Sequence, residues 1–239
     1  MAKINTNSNL YTIVYAAILV IIVAFLLALA NAALKPRQEA NVALSQKKQI
    51  LASLNERNLG DQKSEETYEA MVSDADLDGL KFFIAKKDGE KYILPVRGAG
   101  LWGGIWGYIA LNEDKNTIYG AYFDHESETP GLGGEIKTEA FQNQFIGKHL
   151  LRDGKFVGIG IMKAGQTADG MDQVDAISGA TITSKGVETM ILTSIQAFAD
   201  KGFFEGAENS SPKVGEVAAE QPEGYETDSN VQPTNVEED

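Results

Sequence analysis

The chain contains no cysteine and only two histidines, His125 and His149. Without cysteine there is no disulfide framework, thiolate metal site, cysteine-held iron–sulfur cluster, cysteinyl flavin link or c-type haem. Two histidines argue against a multi-histidine metal centre. Basic residues are also scarce, 21 against 34 acids, for a net charge of −13. A surface of that sign repels phosphate backbones and argues against a nucleic-acid partner. Proline is sparse too, and three of its six positions, Pro212, Pro222 and Pro233, fall near the C-terminus.

What is present begins with a long apolar run. No charge occurs between Lys3 and Lys35, and Ile13 to Ala30 is unbroken. The span over residues 10–34 is about 37 Å long as a helix, enough to cross a hydrocarbon core of about 30 Å. Ala30-Asn31-Ala32 resembles a signal-peptide cleavage site. The apolar run is too long for that reading and the leading segment, residues 1–9, holds only Lys3, so a retained single anchor is preferred. Lys35, Arg37, Lys47 and Lys48 follow the span, and counting them places the body in the cytoplasm. The missing cysteine points weakly outward, so composition leaves orientation open. At the other end, residues 205–239 hold ten acids and one base, −9 of the −13, with almost no large apolar side chain. Such a segment buries too little to offset its ordering entropy and reads as a disordered, solubilising tail.

The body, residues 35–204, is long enough for one domain with its own core. Gln38 to Leu54 reads as an amphipathic helix and Glu65 to Val72 as a second. Phe82–Ala85 and Tyr92–Val96 flank Asp88-Gly89, a hairpin signal. Ile105–Leu111 and Thr117–Phe123 form another hairpin. Lys137 to Phe145 reads as helix, Phe156–Met162 and Gln173–Ile177 as strands, and Ser184 to Phe198 as a closing helix. That order predicts an α+β fold with a largely antiparallel sheet.

Three glycine-rich turns carry the chemistry. Gly98-Ala99-Gly100-Leu101-Trp102-Gly103-Gly104 combines open backbone with a flat aromatic face, which suits stacking on a ring or, more plainly, a kinked strand. His125 to Gly134 contains Pro130-Gly131 and two further glycines, either a surface turn or a loop that cradles a ring edge or an anion. His125 has no nameable partner and reads as an ordinary loop histidine. Asp175-Ala176-Ile177-Ser178-Gly179-Ala180-Thr181 leads into the closing helix, with Thr183 or Ser184 as its expected N-cap. A helix N-terminus attracts anions, so a phosphate on or near Thr181 is stabilised there. The plain alternative is a Ser/Thr-rich capping turn.

In this order and spacing the three turns resemble the FMN-binding domain family that includes the C subunit of the sodium-translocating NADH:quinone reductase and the G subunit of the Rnf electron-transport complex. The resemblance covers residues 8–204. Its most specific stretches are Leu94-Pro95-Val96-Arg97-Gly98-Ala99-Gly100-Leu101-Trp102 and Glu128-Thr129-Pro130-Gly131-Leu132-Gly133-Gly134-Glu135. The family's flavinylation motif, D-x-x-(S/T)-G-A-T, is similar to Asp175 through Thr181, with Ser178, Gly179 and Ala180 in register. The resemblance implies FMN joined through a phosphoester to Thr181, not Thr183, by a flavin transferase that uses FAD. Pro95-Val96-Arg97 resembles the sodium-pump subunit more than the Rnf one.

The same resemblance implies the surroundings and the role of the flavin. Leu101 and Trp102 are expected on one side of the ring, and Thr129 and Leu132 on the other, with Glu128, Gly131 and Thr183 nearby. Lys163 is expected near the phosphate or where it stabilises a reduced, anionic flavin, or else is a solvated strand-end lysine. No catalytic base and no metal ligand is expected. The chain is expected to relay electrons within a membrane NADH:quinone reductase, inactive alone, toward a second flavin and quinone. Its partners are the other subunits, the flavin transferase and the membrane, and its flavin domain lies on the periplasmic side of a bacterial inner membrane. The alternatives are an Rnf-type subunit, a stand-alone membrane-anchored flavoprotein and a non-catalytic envelope protein.

Overall fold

The computed structural model describes residues 9–168 and 172–207. The expected leading segment 1–9, save its last residue, and the acidic tail beyond residue 207 lie outside the described residues.

The first element is one helix, α1, Asn9–Ser53, of 45 residues. The apolar span and the amphipathic stretch, expected as two pieces, are therefore continuous. Pro36 lies inside the helix. It removes a single backbone donor, and the flanking residues are good helix formers, so the helix runs on. The 18-residue window of highest hydropathy has none of its surface buried against the body. Only the last turn is buried, at Ile50, Leu51, Ala52 and Ser53. Among the described residues there is thus one apolar helix, near the N-terminus, suited to a single membrane anchor.

α2 (Asp61–Met71) leads into a five-stranded antiparallel meander. Its strands are β1 (Val72–Leu77), β2 (Leu80–Lys86), β3 (Glu90–Ala99), β4 (Gly104–Leu111) and β5 (Ile118–His125), paired in that order. β1 departs from the sequence reading, which had no strand there. Its six residues include two aspartates and it forms the sheet's half-exposed edge, where acids hinder further pairing. Asp78-Gly79 joins it to β2 with φ of 49° and 88°, the two positive values a tight hairpin turn needs.

The sheet is covered on both faces, which explains why β4 ends in a run of buried residues, Gly107 to Leu111, and not in alternation. On one face Leu94, Val96, Ile105, Ile109 and Phe123 pack with Val187, Met190 and Ile191 of the closing helix α4 (Thr181–Ala199). On the other, Ile93, Tyr108 and Ala110 pack with Ile50 and Leu54. α1 therefore grips the domain through its last turn.

Between β5 and α4 the chain is irregular, and three expectations need correction. Lys137 to Phe145 is not one helix. It divides into a 3-10 turn (Gly133–Lys137), a single α turn α3 (Glu139–Gln142) and another 3-10 turn (Asn143–Phe145). Packing overrides helix continuation there: Phe141 and Phe145 turn inward onto Phe123, with ring centroids 6.3 and 5.1 Å away. The strand expected over Phe156–Met162 is two. β7 (Lys155–Phe156) closes a small hairpin with β6 (Leu151–Arg152), and β8 (Gly160–Met162) pairs in parallel with β9 (Gln173–Asp175). Gly158, at φ 71°, turns the chain between them. The closing helix begins at Thr181, with Ala180 at the N-cap and no side-chain cap. Thr183 and Ser184 are helical and buried, and neither is the cap.

α4 lies close against β3. A Cβ built on Gly186 would come within 2.5 Å of the Ala99 carbonyl oxygen. Helix propensity alone predicts that Gly186→Ala stabilises by about 1 kcal/mol. The contact reverses the sign, and overpacking is expected to destabilise by roughly 1–3 kcal/mol. Urea unfolding of the variant checks which term wins.

Candidate functional site

The three glycine-rich turns meet at one end of the sheet. The β3–β4 turn is closed by the Gly100 N–H donating to the Gly103 carbonyl at 2.8 Å. It holds up Leu101 and Trp102, which are 47% and 67% exposed. After β5, the Thr129 carbonyl accepts from the N–H groups of Leu132 at 3.1 Å and Gly134 at 2.9 Å, curling that loop toward the same end. The third side is the start of α4. Together they enclose a pocket of about 280 Å³, lined by Leu101, Trp102, Glu128, Thr129, Leu132, Gly133 and residues 179–183. A larger groove of about 590 Å³ lies between α1 and β1–β2. It has no helix N-terminus on its wall, and its Lys47 is already paired with Glu65 and Glu69.

One side chain ties the three turns together. Glu128 is 4% exposed. Its Oε1 accepts from the Trp102 N–H at 2.8 Å, and its Oε2 from the Thr183 hydroxyl at 2.7 Å. A Cβ at Gly100 would lie 2.4 Å from Oε1, and one at Gly133 only 2.2 Å from Oε2. Those two glycines are therefore the space that the carboxylate fills. Burial on its own pushes the Glu128 carboxyl up. The Trp102 N–H, the Thr183 hydroxyl and the Leu101 and Gly103 N–H groups outweigh it and hold the group below its usual range. The Glu128 N–H donates in turn to His125 Nδ1 at 3.2 Å, so His125 acts as a structural acceptor.

Thr181 and Thr183 differ sharply. Thr181 is the first helical residue and exposed, whereas Thr183 is 1% exposed and bonded to Glu128. The first N–H groups of a helix lack intrahelical partners. The first ladder bond of α4 runs from Ser184 N to Ala180 O at 3.0 Å, and alanine offers no side-chain acceptor at the cap. An uncapped, positive helix end thus lies beside an exposed hydroxyl.

Of the residues singled out from sequence, Leu101, Trp102, Glu128, Thr129, Leu132, Gly179, Ala180, Thr181 and Thr183 line this pocket. Four others do not. Gly131 lies in the loop behind it and donates its N–H to Glu135 Oε1 at 3.0 Å. Ser178 is exposed in the turn before α4. Asp175 is half-buried: its carboxylate accepts from the Gly165 N–H at 3.0 Å, and its own N–H donates to Gln144 Oε1 at 2.8 Å. It pins the loop after β8 and takes no part in the pocket wall. Lys163 is exposed at the end of β8. Sequence reasoning missed Ser184, whose Oγ accepts from the Ile177 N–H at 3.0 Å and fixes the turn that presents Thr181. Nothing in local composition distinguishes that serine from a cap.

A model of the FMN-binding domain matches residues 100–196. The C subunit of the Na(+)-translocating NADH-quinone reductase of Yersinia pestis is 42% identical over 113 residues, 46% of this chain and 42% of that protein. The corresponding Pseudomonas aeruginosa protein is 40% identical over 114 residues, 46% of this chain and 44% of that protein. A crystal structure of the C subunit from Parabacteroides distasonis is 37% identical, with a TM-score of 0.64, and the match covers 70% of this chain and 96% of that one. The chain belongs to the C-subunit family of the Na(+)-translocating NADH-quinone reductases. The NqrC structure from Shewanella oneidensis, 23% identical with a TM-score of 0.56 over 66% of this chain and 95% of that one, shares the fold. Alignment spans under half the length of the two curated relatives. The family's FMN-binding stretch takes in the tip of the first turn and the whole of the other two. Apolar walls at Leu101, Trp102 and Leu132 and an open helix N-terminus fit a ring with a phosphate.

The depressed Glu128 carboxyl has a pH signature. Its stabilising contribution is fully present above the ordinary glutamate value of about 4.3 and is lost as pH falls through the lower, folded value. Thermal melts in acid are therefore expected to show wild type losing stability more steeply below that pH than Glu128→Gln. Parallel curves for the two proteins exclude the assigned ionisation.

Proposed function

We propose that Thr181 carries FMN in a phosphoester link and that the chain serves as an electron-relay subunit of a sodium-pumping membrane NADH:quinone reductase. The observation that carries this reading is the contrast between the two threonines: Thr181 is exposed at an uncapped helix N-terminus, while Thr183 is buried and engaged. FMN, when bound, supplies a ring that takes up and gives back electrons. The first N–H groups of α4 favour the phosphate's negative charge. Leu101, Trp102 and Leu132 exclude water from a flat ring, and Thr129 adds a polar contact. Glu128 is the one titratable side chain among the described residues lining the pocket, and it is held ionised. Electron carriage requires no proton donor there.

Attachment would take FMN from FAD through a flavin transferase. Thr181 Oγ1 bonds to the riboflavin-side phosphorus, the diphosphate P–O bond breaks, AMP leaves and the hydroxyl proton is released. The other subunits of the complex are the electron donor and acceptor partners. α1 anchors the chain by one span, with the flavin domain on the periplasmic side and Met1 inside, which places the basic Lys35 and Arg37 outside. The missing cysteine and the family resemblance support that side.

Thr181→Ala, co-expressed with the transferase, is expected to lose all covalent flavin fluorescence on a denaturing gel while still folding. Thr183→Ala is expected to keep the link and lose roughly 1.5–3 kcal/mol of stability, the worth of a hydrogen bond to a charged group. Fluorescence that persists in the first variant, or vanishes in the second, moves the link elsewhere. Alkaline phosphatase fused after Phe204 is expected to be active, because its disulfides form only outside the cytoplasm. An inactive fusion reverses the orientation.

A further inference from the structure

We propose that Glu128 is a positioning residue: held by the protein's own donors, its carboxylate fastens the Leu101–Trp102 turn to α4 and sets a fixed negative charge at the pocket wall, lowering the flavin's reduction potential. The inference rests on the flavin reading of Thr181 and goes beyond it.

Engagement of both oxygens is the first step. An ionised carboxylate is acceptor-only. Oε2 accepts from the Thr183 hydroxyl at 2.7 Å and Oε1 from the Trp102 N–H at 2.8 Å. A carboxylate has no proton to give a flavin oxygen or nitrogen, so in the pocket it lines Glu128 bridges two elements and carries a charge.

Position is the second. The donors come from two elements that are distant in sequence. Trp102 sits on the β3–β4 turn with Leu101, and Thr183 sits two residues beyond Thr181 on α4. The carboxylate bridges the attachment point and the apolar wall. Gly100 and Gly133 admit it with no room to spare, since a Cβ at either would fall within 2.4 Å of its oxygens. The distance from Thr181 to Trp102 is therefore set before any flavin arrives.

Charge is the third. With 4% of its surface exposed, Glu128 is poorly screened by water. An electron added to a ring in the same pocket is repelled by it, so the oxidised form is favoured. The neighbouring charged groups on the same loop, Glu126 and Glu135, are acidic and oppose nothing, and on α4 Lys185 is already paired with Glu188.

Glu128→Gln separates shape from charge. The amide oxygen can take the Trp102 N–H, and the amide NH2 can donate to Thr183 Oγ1, which turns to accept. Flavin-bearing full-length Glu128→Gln is expected to have a more positive reduction potential than wild type, about tenfold in the oxidised-to-reduced ratio, or about 59 mV for one electron. An unchanged potential overturns the charge role. In the flavin-free full chain, hydrogen exchange is expected to show a protected Trp102 amide in wild type and Glu128→Gln and an unprotected one in Glu128→Ala. A freely exchanging Trp102 amide in wild type overturns the clasp. If wild type accepts no flavin on Thr181, the function reading fails, whereas the exchange measurement still decides the clasp.

Discussion

The site depends on a buried charge that ties three turns together. Removing a carboxylate from water costs several kcal/mol unless hydrogen bonds replace its hydration. Glu128 meets that condition only when the β3–β4 turn presents the Trp102 N–H and α4 presents Thr183. Each turn alone is an ordinary piece of glycine-rich chain. Brought together around the carboxylate they become a pocket, and if any one moves away the charge is left under-solvated. The glycines follow from the same constraint, because a larger residue at position 100 or 133 would occupy the space of the carboxylate oxygens.

The rest of the fold holds those turns where the carboxylate needs them. β3 and β4 are paired up to Ala99↔Gly104, so their connecting turn leaves the sheet at a fixed place. α4 is laid across β3 by Val187, Met190, Ile191 and Ile195, and its close approach at Gly186 brings its N-terminus level with that turn. Ser194 both donates to and accepts from the Arg97 backbone, holding the helix at its far end. Core packing and site geometry are therefore one problem: what loosens α4 on the sheet also separates Thr181 from Trp102.

Local chemistry made part of this legible in the sequence. Asp88-Gly89 announced one hairpin, and the same dipeptide at Asp78-Gly79 passed unread because β1 is polar and carries no alternating pattern. The apolar run and the amphipathic stretch after it were readable, while their fusion into one 45-residue helix was not, since Pro36 ordinarily signals a break. Thr183 and Ser184 looked like caps because side-chain oxygens near a helix start usually are. Their hydroxyls instead serve partners 55 and 7 residues away, and such distant demands leave no local signature. Glu128 stood in a recognisable stretch, yet its role could not be read there, because its donors lie on other turns.

The uncapped start of α4 then has a physical reason. Helix ends normally recruit Ser, Thr, Asp or Asn to satisfy their first N–H groups, and this one has Ala180. A side-chain cap there would have competed with an incoming anion for the same donors. With alanine at the cap and the two buried hydroxyls committed elsewhere, the helix end stays available, and Thr181 is the exposed hydroxyl beside it. Burial and a hydrogen bond to Glu128 withdraw the Thr183 hydroxyl, and under the proposed phosphoester link the helix dipole favours phosphate on Thr181. The residue that withdraws Thr183 is also the one that holds the Leu101–Trp102 turn, so under that proposal the choice of attachment point and the placement of the ring rest on one carboxylate.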